Sequence, residues 1–292
     1  MAVMNDDRPD LPDLADLADL ADLAERVARQ AAELLRQGLE RVQVEIETKS
    51  SGTDMVSEMD KAAEQLIVDR LLAERPDDGI LGEEGTNRAG TSGIRWVIDP
   101  LDGTTNYLYR HPSFSVSIAA ELDEGATTDD HAGRAAVVGV VVDIARDDRF
   151  RAVKGQGATR NGQPIHVSAE TELARALVAT GFGYDADRRR GQAAILARII
   201  GDIRDIRRMG SAALDLCSAA CGHVDAYYEL GLAPWDLAAG ALIAAEAGAE
   251  VTYLPGPTPA TATLVAAPPA LSPGLITLLH NAENQSSNST ST

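Results

Sequence analysis

Apolar residues in the first 75 positions recur at helical spacing. The segment ADLAERVARQAAELLRQGL places them on one face and predicts an amphipathic helix from about Leu20 that ends at Gly38. The segment SEMDKAAEQLIVDRLLAER predicts a second helix, with Ser57 as its N-cap and Pro76 as its terminator. In the preceding DLPDLADLADL repeat, Asp and Leu recur every three residues, so a leucine stripe would drift around a helix. We therefore expect residues 1–19 to form a solvated acidic extension.

Short apolar runs with turn signals between them follow the two helices. The runs GILG, IRWVID, FSVSIAAEL, AAVVGVVVDI and RFRAVKG predict strands, DEGATTDDHAG predicts a surface loop, and Asn161-Gly162 predicts a hairpin. From about Ser168, strand-like runs (ARALVATGF, VDAYYEL, EVTYL, ATLVAA) accompany helical ones (GQAAILARIIGDI, SAALDLCSAACG, PWDLAAGALIAAEAGA, SPGLITLLHNA). This change in the order of strand-like and helical runs predicts an N-terminal α+β lobe over 20–168 and a C-terminal α/β lobe over 169–281. We expect residues 282–292 to form a disordered tail.

Composition and charge narrow the class of protein. The 292 residues are 45% hydrophobic and carry a net charge of −19, which argues against nucleic acid or an anionic membrane as a partner. An acidic protein that binds an anionic substrate needs a metal to reverse the local field. No apolar run approaches the roughly 20 residues of a membrane span, and the N-terminus does not resemble a signal peptide. Cys217 and Cys221 fit buried thiols on one helix face, so we expect a cytoplasmic protein.

The stretch WVIDPLDGTTNY contains the first candidate for chemistry. Its apolar run predicts a strand that ends at Asp99, followed by a rigid Pro- and Gly-containing turn with Asp102 and Gly103. Thr104 would begin a short helix whose free N–H groups attract anions. Two carboxylates and the Leu101 carbonyl thus stand beside a predicted phosphate site. Because carboxylates repel phosphate, this arrangement predicts Mg²⁺ between them.

Other acids occupy similar settings along the chain. Glu83 and Glu84 follow a short apolar run in ILGEEG, and Asp236 opens a predicted helix in APWDLAAG. Asp54 precedes a predicted helix in GTDMVSEMD, and Asp60 lies in its first turns. For Asp60 we expect a solvated helix face and for Glu84 a surface acid. Glu83, Asp54 and Asp236 remain candidates for the site.

Several of these motifs together resemble one enzyme family. In order along the chain, DMVSEMD, GEE, WVIDPLDGTTNY, GATRNG, GSAALDLC and YYELGLAPWDLAAG resemble the inositol monophosphatase family of Mg²⁺-dependent, lithium-sensitive sugar phosphatases. Ser57 stands where threonine is commoner in that family. The resemblance covers roughly residues 20–280. It implies a layered αβαβα fold with an N-terminal antiparallel-sheet lobe, a C-terminal mixed-sheet lobe and metals between them, commonly in a homodimer.

The resemblance also implies a role for individual residues. Glu83, Asp99 and the Leu101 carbonyl would hold one Mg²⁺, and Asp99, Asp102 and Asp236 would hold a second. A weaker third ion could lie near Glu83. Asp54, paired with the Thr104 hydroxyl, and Glu83 would be the catalytic residues. The implied substrate contacts are Glu83, Leu101, Asp102, Gly103, Thr104, Gly210, Ser211, Ala212, Glu229 and Asp236.

The implied reaction is hydrolysis of myo-inositol 1-phosphate or a related polyol phosphate. Water activated by the metal would attack in line, and no phosphoenzyme would form. Histidinol phosphate, fructose 1,6-bisphosphate and 3′-phosphoadenosine 5′-phosphate are the alternative substrates within the superfamily. Two further hypotheses are a non-catalytic regulatory binding protein on the same fold and an interaction module formed by the acidic N-terminal repeat.

Overall fold

The computed structural model describes residues 14–46, 52–123, 134–256 and 261–289. The helices are α1 (Leu14–Ile46), α2 (Gly52–Glu74), α3 (Thr104–Tyr109), α4 (Ala186–Ile199), α5 (Ala212–Ala220), α6 (Pro234–Glu246) and α7 (Ser272–Ser289), with a 3₁₀ turn at Leu173–Arg175. The first eight strands are β1 (Gly79–Gly82), β2 (Asn87–Arg88), β3 (Ile94–Asp102), β4 (Ser115–Asp123), β5 (Arg134–Asp143), β6 (Asp148–Val153), β7 (Ala158–Arg160) and β8 (Gln163–Pro164). The last five are β9 (Leu177–Thr180), β10 (Asp205–Arg207), β11 (Ala226–Leu230), β12 (Glu250–Leu254) and β13 (Thr263–Ala267).

The bounds of the first two helices differ from the prediction. Helix α1 begins at Leu14, before Leu20, and Leu17 is already buried in the core. It also continues past Gly38, because a glycine inside a helix is tolerated where neighbours pack closely. A Cβ at Gly38 would lie 2.7 Å from the Tyr107 hydroxyl. Helix α2 begins at Gly52, so the predicted N-cap at Ser57 is wrong, whereas its end before Pro76 is confirmed.

The first sheet contains eight strands in the order β2-β1-β3-β4-β5-β6-β7-β8. All neighbouring strands are antiparallel except β1 and β3, which are parallel. Side chains alternate between its faces, as the pleat of a strand requires. On β5, Val140 and Val142 pack beneath α1, whereas Val141 faces α6. The predicted hairpin is confirmed, with Asn161 and Gly162 at φ 53° and 76° between β7 and β8.

The prediction that the strand ends at Asp99 is wrong. Strand β3 continues to Asp102, with a register shift in its pairing to β4 between those two residues. Asp99 pairs with Ser117 and Asp102 with Ser115, so the two residues between them do not pair. Pro100 lacks an N–H group, which explains the break in the ladder. The irregularity brings two aspartates to one end of a buried strand.

The second sheet has the order β10-β9-β11-β13-β12 and is mixed. Helices α5 and α6 pack between the two sheets, α1 and α2 cover the outer face of the first, and α4 and α7 cover the outer face of the second. The predicted αβαβα fold class is confirmed. The approach of α6 to the first sheet is close, since a Cβ at Gly139 would lie 2.7 Å from the Ala239 carbonyl.

Among the described residues, no helix combines the length and the apolar character that crossing a membrane requires. The predicted surface loop over 124–133 lies outside the described residues. The extension predicted for residues 1–19 is wrong from Leu14, where α1 begins, and the disordered tail predicted from residue 282 is wrong up to Ser289, where α7 ends. The division into two lobes stays a prediction.

Candidate active site

A pocket of about 160 Å³ lies between the two sheets, where several elements end or begin. It combines the end of β3, the start of α3, the carboxyl ends of β9 and β11, and the starts of α5 and α6. Nearly all of the predicted site residues line it: Glu83, Asp99, Leu101, Asp102, Gly103, Thr104, Gly210, Ala212, Glu229 and Asp236. The structure therefore brings together four acids, Glu83, Asp99, Asp102 and Asp236, that are up to 153 positions apart in the sequence.

Asp99 and Glu83 are adjacent carboxyl groups in this pocket. Asp99 is 1% exposed, and its Oδ1 accepts a hydrogen bond from the Leu101 N–H at 3.0 Å. The backbone N–H of Glu83 donates to the Ile98 carbonyl at 3.1 Å, so the two carboxyls come from neighbouring strands and hydrogen-bond to each other. Burial, followed by the charges of Glu83, Asp102 and Asp236, holds the pKa of Asp99 well above its usual range. Burial also raises the pKa of Glu83, to about 7.

Asp102 links the end of β3 to the start of α5. Its Oδ2 accepts hydrogen bonds from the Ser211 hydroxyl at 2.6 Å and the Ala213 N–H at 2.8 Å, and its Oδ1 accepts from the Ala212 N–H at 3.3 Å. Burial raises the pKa of Asp102 to about 7, although the hydrogen bond from Ser211 opposes the shift. Ser211 itself is the N-cap of α5 and accepts from the Leu214 N–H.

Asp236 and Glu229 close the side of the pocket formed by the second sheet. Asp236 is the third residue of α6, and its Oδ2 accepts from the Ala233 N–H at 2.7 Å. Glu229 accepts a hydrogen bond from the Tyr227 hydroxyl at 2.7 Å and lies directly against Gly181, where any Cβ would overlap its carboxylate. Burial raises the pKa of both acids.

The start of α3 requires a glycine. Gly103 has φ 93°, and a Cβ there would lie 2.8 Å from the Ser113 carbonyl, so a side chain fits neither the backbone conformation nor the space. The Thr104 hydroxyl donates to the Leu101 carbonyl at 3.1 Å. Asp54 lies in the first turn of α2, but its side chain is outside the described residues, so the Asp54–Thr104 pair stays a prediction.

The expectation for Asp60 is wrong, since it is 3% exposed and not on a solvated face. Its Oδ1 has no hydrogen-bond partner among the described residues. Burial, then the charges of Glu84, Glu83 and Glu64, raises the pKa of Asp60 to about 8. Glu84, the expected surface acid, is half-buried.

Several residues of the pocket were not predicted from the sequence. They are Gly181, Phe182, Gly183, Tyr184, Arg188, Arg208, Gly231 and Leu232. The GFGYD segment after β9 carried a usable signal, because ligands of α/β proteins bind beyond the carboxyl ends of parallel strands. Arg188 donates to the carbonyls of Leu230 and Gly231, whereas Arg208 makes no hydrogen bond or ion pair with any residue that the structure describes. The two arginines face five carboxyl groups, so they are too few to pair with all of them in the ionised form.

The carboxylates form a shared pocket and not a preformed ligand cage. Within the described ranges, no three His, Cys, Asp or Glu side chains are grouped closely enough to hold a metal ion. Their raised pKa values nevertheless show that the pocket disfavours several unneutralised charges. Protons or cations must therefore accompany them.

Comparisons with known proteins agree with this geometry. The profile of the inositol monophosphatase family matches residues 16–284. The inositol-1-monophosphatase SuhB of Mycobacterium tuberculosis is 43% identical over 244 residues, which cover 80% of this chain and 81% of that protein. The Nus factor SuhB of Escherichia coli is 39% identical over 231 residues, which cover 78% of this chain and 83% of that protein.

Solved structures show the same similarity. Mycobacterium tuberculosis SuhB superposes with a TM-score of 0.77 at 39% identity, covering 91% of this chain and 97% of the other. The inositol monophosphatase of Anabaena superposes with a TM-score of 0.76 at 34% identity, again covering 91% and 97%.

Proposed function

The chain belongs to the inositol monophosphatase family, and we propose that it is a Mg²⁺-dependent phosphomonoesterase that hydrolyses myo-inositol 1-phosphate or a related polyol phosphate. The observation that carries this proposal is the shared pocket of Glu83, Asp99, Asp102 and Asp236. These acids come from β3, the turn after β1 and the start of α6. Asp99, Asp102 and Asp236 each accept hydrogen bonds from neighbouring groups, but none of those bonds requires the four acids to share one pocket. A site for divalent cations is the function that accounts for them.

The donor set fits Mg²⁺. The pocket offers carboxylate oxygens and the Leu101 carbonyl, which are the hard ligands that Mg²⁺ prefers, and no sulfur or imidazole among the lining residues. We propose Glu83, Asp99 and Leu101 as one ligand set and Asp99, Asp102 and Asp236 as a second, for two or three ions per site. Bound there, Mg²⁺ supplies Lewis-acid activation of a water and neutralises charge on the phosphate and the leaving oxygen.

The residues of this chain would bind and orient the substrate. The peptide N–H groups of Gly103 and Thr104 are proposed to receive the phosphate, since no side chain at Gly103 obstructs its approach. Glu229 is proposed to accept hydrogen bonds from hydroxyls of the substrate ring, because a carboxylate suits vicinal hydroxyl groups. Gly210, Ser211 and Ala212 lie beside Asp102 and would contact the ring through backbone groups.

Glu83 is the proposed acceptor of the proton from the attacking water. Glu83 lines the pocket beside Asp99, where a water held by the proposed ion would lie within its reach. Asp54, through the Thr104 hydroxyl, is proposed as a second route for the proton. Attack would be in line, with no covalent phosphoenzyme.

Phosphate release from a panel of substrates tests the proposal. The purified protein is assayed with myo-inositol 1-phosphate, histidinol phosphate, fructose 1,6-bisphosphate and 3′-phosphoadenosine 5′-phosphate, with and without Mg²⁺. We expect the highest kcat/KM for myo-inositol 1-phosphate, strict dependence on Mg²⁺ and inhibition by Li⁺. No Mg²⁺-dependent release from any of the four substrates would contradict the proposal.

A regulatory function is the second candidate, because a relative 39% identical to this chain is called a Nus factor. The presence of all the implied ligands in one pocket favours catalysis over a purely regulatory protein. We further propose a cytoplasmic homodimer that acts on a small phosphate ester, with neither nucleic acid nor membrane as a required partner. Sedimentation velocity tests the dimer.

A further inference from the structure

The carboxylate of Glu64, on α2, caps the turn that follows β1. Its Oε2 accepts a hydrogen bond from the Glu84 N–H at 2.8 Å. Its Oε1 accepts from both the N–H of Thr86, at 3.0 Å, and the Thr86 hydroxyl, at 2.6 Å. Glu64 is 3% exposed, so these three donors replace the water that a carboxylate needs.

Gly82 makes the close approach of this carboxylate possible. A Cβ at Gly82 would lie 2.3 Å from Glu64 Oε2, so any side chain at this position would displace the carboxylate. The N–H of Gly82 donates to the Thr86 carbonyl at 2.7 Å, which closes the turn from the other side. Helix α2 and the turn are therefore shaped to each other at this point.

Glu83 lies between the two anchor points. Its own N–H is bound to the Ile98 carbonyl, and the next N–H, that of Glu84, is bound to Glu64. Both peptide groups that flank the Cα of Glu83 are thus fixed, which sets the direction of its Cα–Cβ bond, and the side chain lines the pocket beside Asp99. The Glu64 carboxylate already accepts three hydrogen bonds, so it acts through Glu83 and is not itself a ligand.

We infer that Glu64 is a positioning residue that sets the affinity of the Glu83 side of the pocket for divalent cations. This inference rests on the proposed function, because it assumes that Glu83 is a ligand. Residues that hold a metal ligand in place typically contribute ten- to hundred-fold to metal affinity. The effect should appear in cation binding and not in the maximal rate.

Glu64→Gln is the first test, read out by Mn²⁺ titration with electron paramagnetic resonance in the absence of substrate. Glutamine keeps the shape of the side chain, but its amide N–H₂ would face a backbone N–H donor, so the turn loosens. We expect about ten-fold weaker Mn²⁺ binding. The Mg²⁺ concentration for half-maximal phosphate release should rise about ten-fold, while kcat at saturating Mg²⁺ stays within about three-fold. Asp69→Asn removes an exposed carboxylate from the same helix and should leave all three values unchanged.

Thr86 provides a second, milder test if Glu64→Gln does not fold. Thr86→Val removes only the hydrogen bond from the Thr86 hydroxyl to Glu64 and should weaken Mn²⁺ binding about three-fold. The control variant Thr86→Ser keeps that bond and should bind Mn²⁺ with wild-type affinity. Wild-type Mn²⁺ affinity in both Glu64→Gln and Thr86→Val would overturn the inference and leave the proposed function intact. A wild-type protein that binds no Mn²⁺ would overturn both.

Discussion

Acidic side chains occur in two contrasting regions of this molecule. On the surface, Glu170 accepts hydrogen bonds from the Arg175 guanidinium and from the N–H groups of Glu172 and Thr171, and these bonds lower its pKa to about 2. In the pocket, burial and neighbouring acids raise the pKa of Asp99 well above its usual range. The same functional group is thus stabilised as an anion in one region and disfavoured as an anion in the other. A fold keeps disfavoured carboxylates together where they serve a ligand.

The largest effect is expected for Asp236→Asn. Asparagine can still accept the hydrogen bond from the Ala233 N–H, so the start of α6 should keep its shape. Loss of one ligand charge should lower kcat for phosphate release about 1,000-fold, which corresponds to about 4 kcal/mol of transition-state stabilisation. The metal-free variant should melt at the same temperature as wild type or higher, because a buried charge is removed. Comparable activity at saturating Mg²⁺ would refute the ligand assignment.

Mg²⁺ binding should stabilise the fold by the next largest amount. A ligand at about 100 times its Kd adds about 2.7 kcal/mol to the free energy of unfolding, which raises the Tm of a protein of this size by about 4 °C. Differential scanning calorimetry with and without Mg²⁺ measures this shift. The Asp236→Asn variant serves as the control and should respond less. An equal response in both proteins would place the stabilising ions outside the pocket.

The stability of the metal-free protein should depend on pH. Folding raises the pKa of Glu83 and of Asp102 to about 7, so their protonated forms favour the folded state. That contribution is complete below about pH 4 and is lost as the pH rises through about 7. We expect the free energy of unfolding to fall by about 2 kcal/mol or more between pH 5 and pH 8, and Mg²⁺ to flatten the change. Urea titrations of the metal-free protein at the two pH values measure this difference. An equal free energy of unfolding at pH 8 and at pH 5 would contradict the prediction.

The smallest effect is expected for Glu170→Gln on the surface. The Arg175 side chain is 57% exposed, so solvent screens the ion pair and its contribution to stability is small. The glutamine oxygen can still accept the hydrogen bonds from the N–H groups of Thr171 and Glu172. Activity should stay within about two-fold of wild type, and Tm within about 2 °C. A large loss of activity would show that the contrast between the two regions does not separate functional from structural acids.

Much of the fold follows from local patterns in the sequence. The continuous apolar run of β5 and the Asn161-Gly162 turn signal predict a strand and a hairpin without tertiary information. The bounds that depend on packing were predicted less well. Helix α1 passes Gly38 because Met59 and Tyr107 pack against it, and the N-cap of α2 is not Ser57 because the helix begins earlier.

The candidate site shows the same difference between residues that local sequence predicts and residues that depend on packing. Asp99 and Asp102 were predicted because one short motif contains them, and Glu83 and Asp236 were candidates because of their positions after an apolar run and at the start of a helix. The family resemblance supplied Glu229 and the individual roles. The burial of Asp60 and the three hydrogen bonds of Glu64 depend on contacts between α2 and the turn after β1, which a single sequence does not reveal.

The position of bound cations tests the central claim most directly. Crystals grown with Mn²⁺ and measured at the manganese absorption edge give anomalous peaks that locate each ion. We predict at least two peaks in the pocket, one between Glu83 and Asp99 and one between Asp102 and Asp236. Mn²⁺ found only at surface carboxylates, with none between these four acids, would contradict the account.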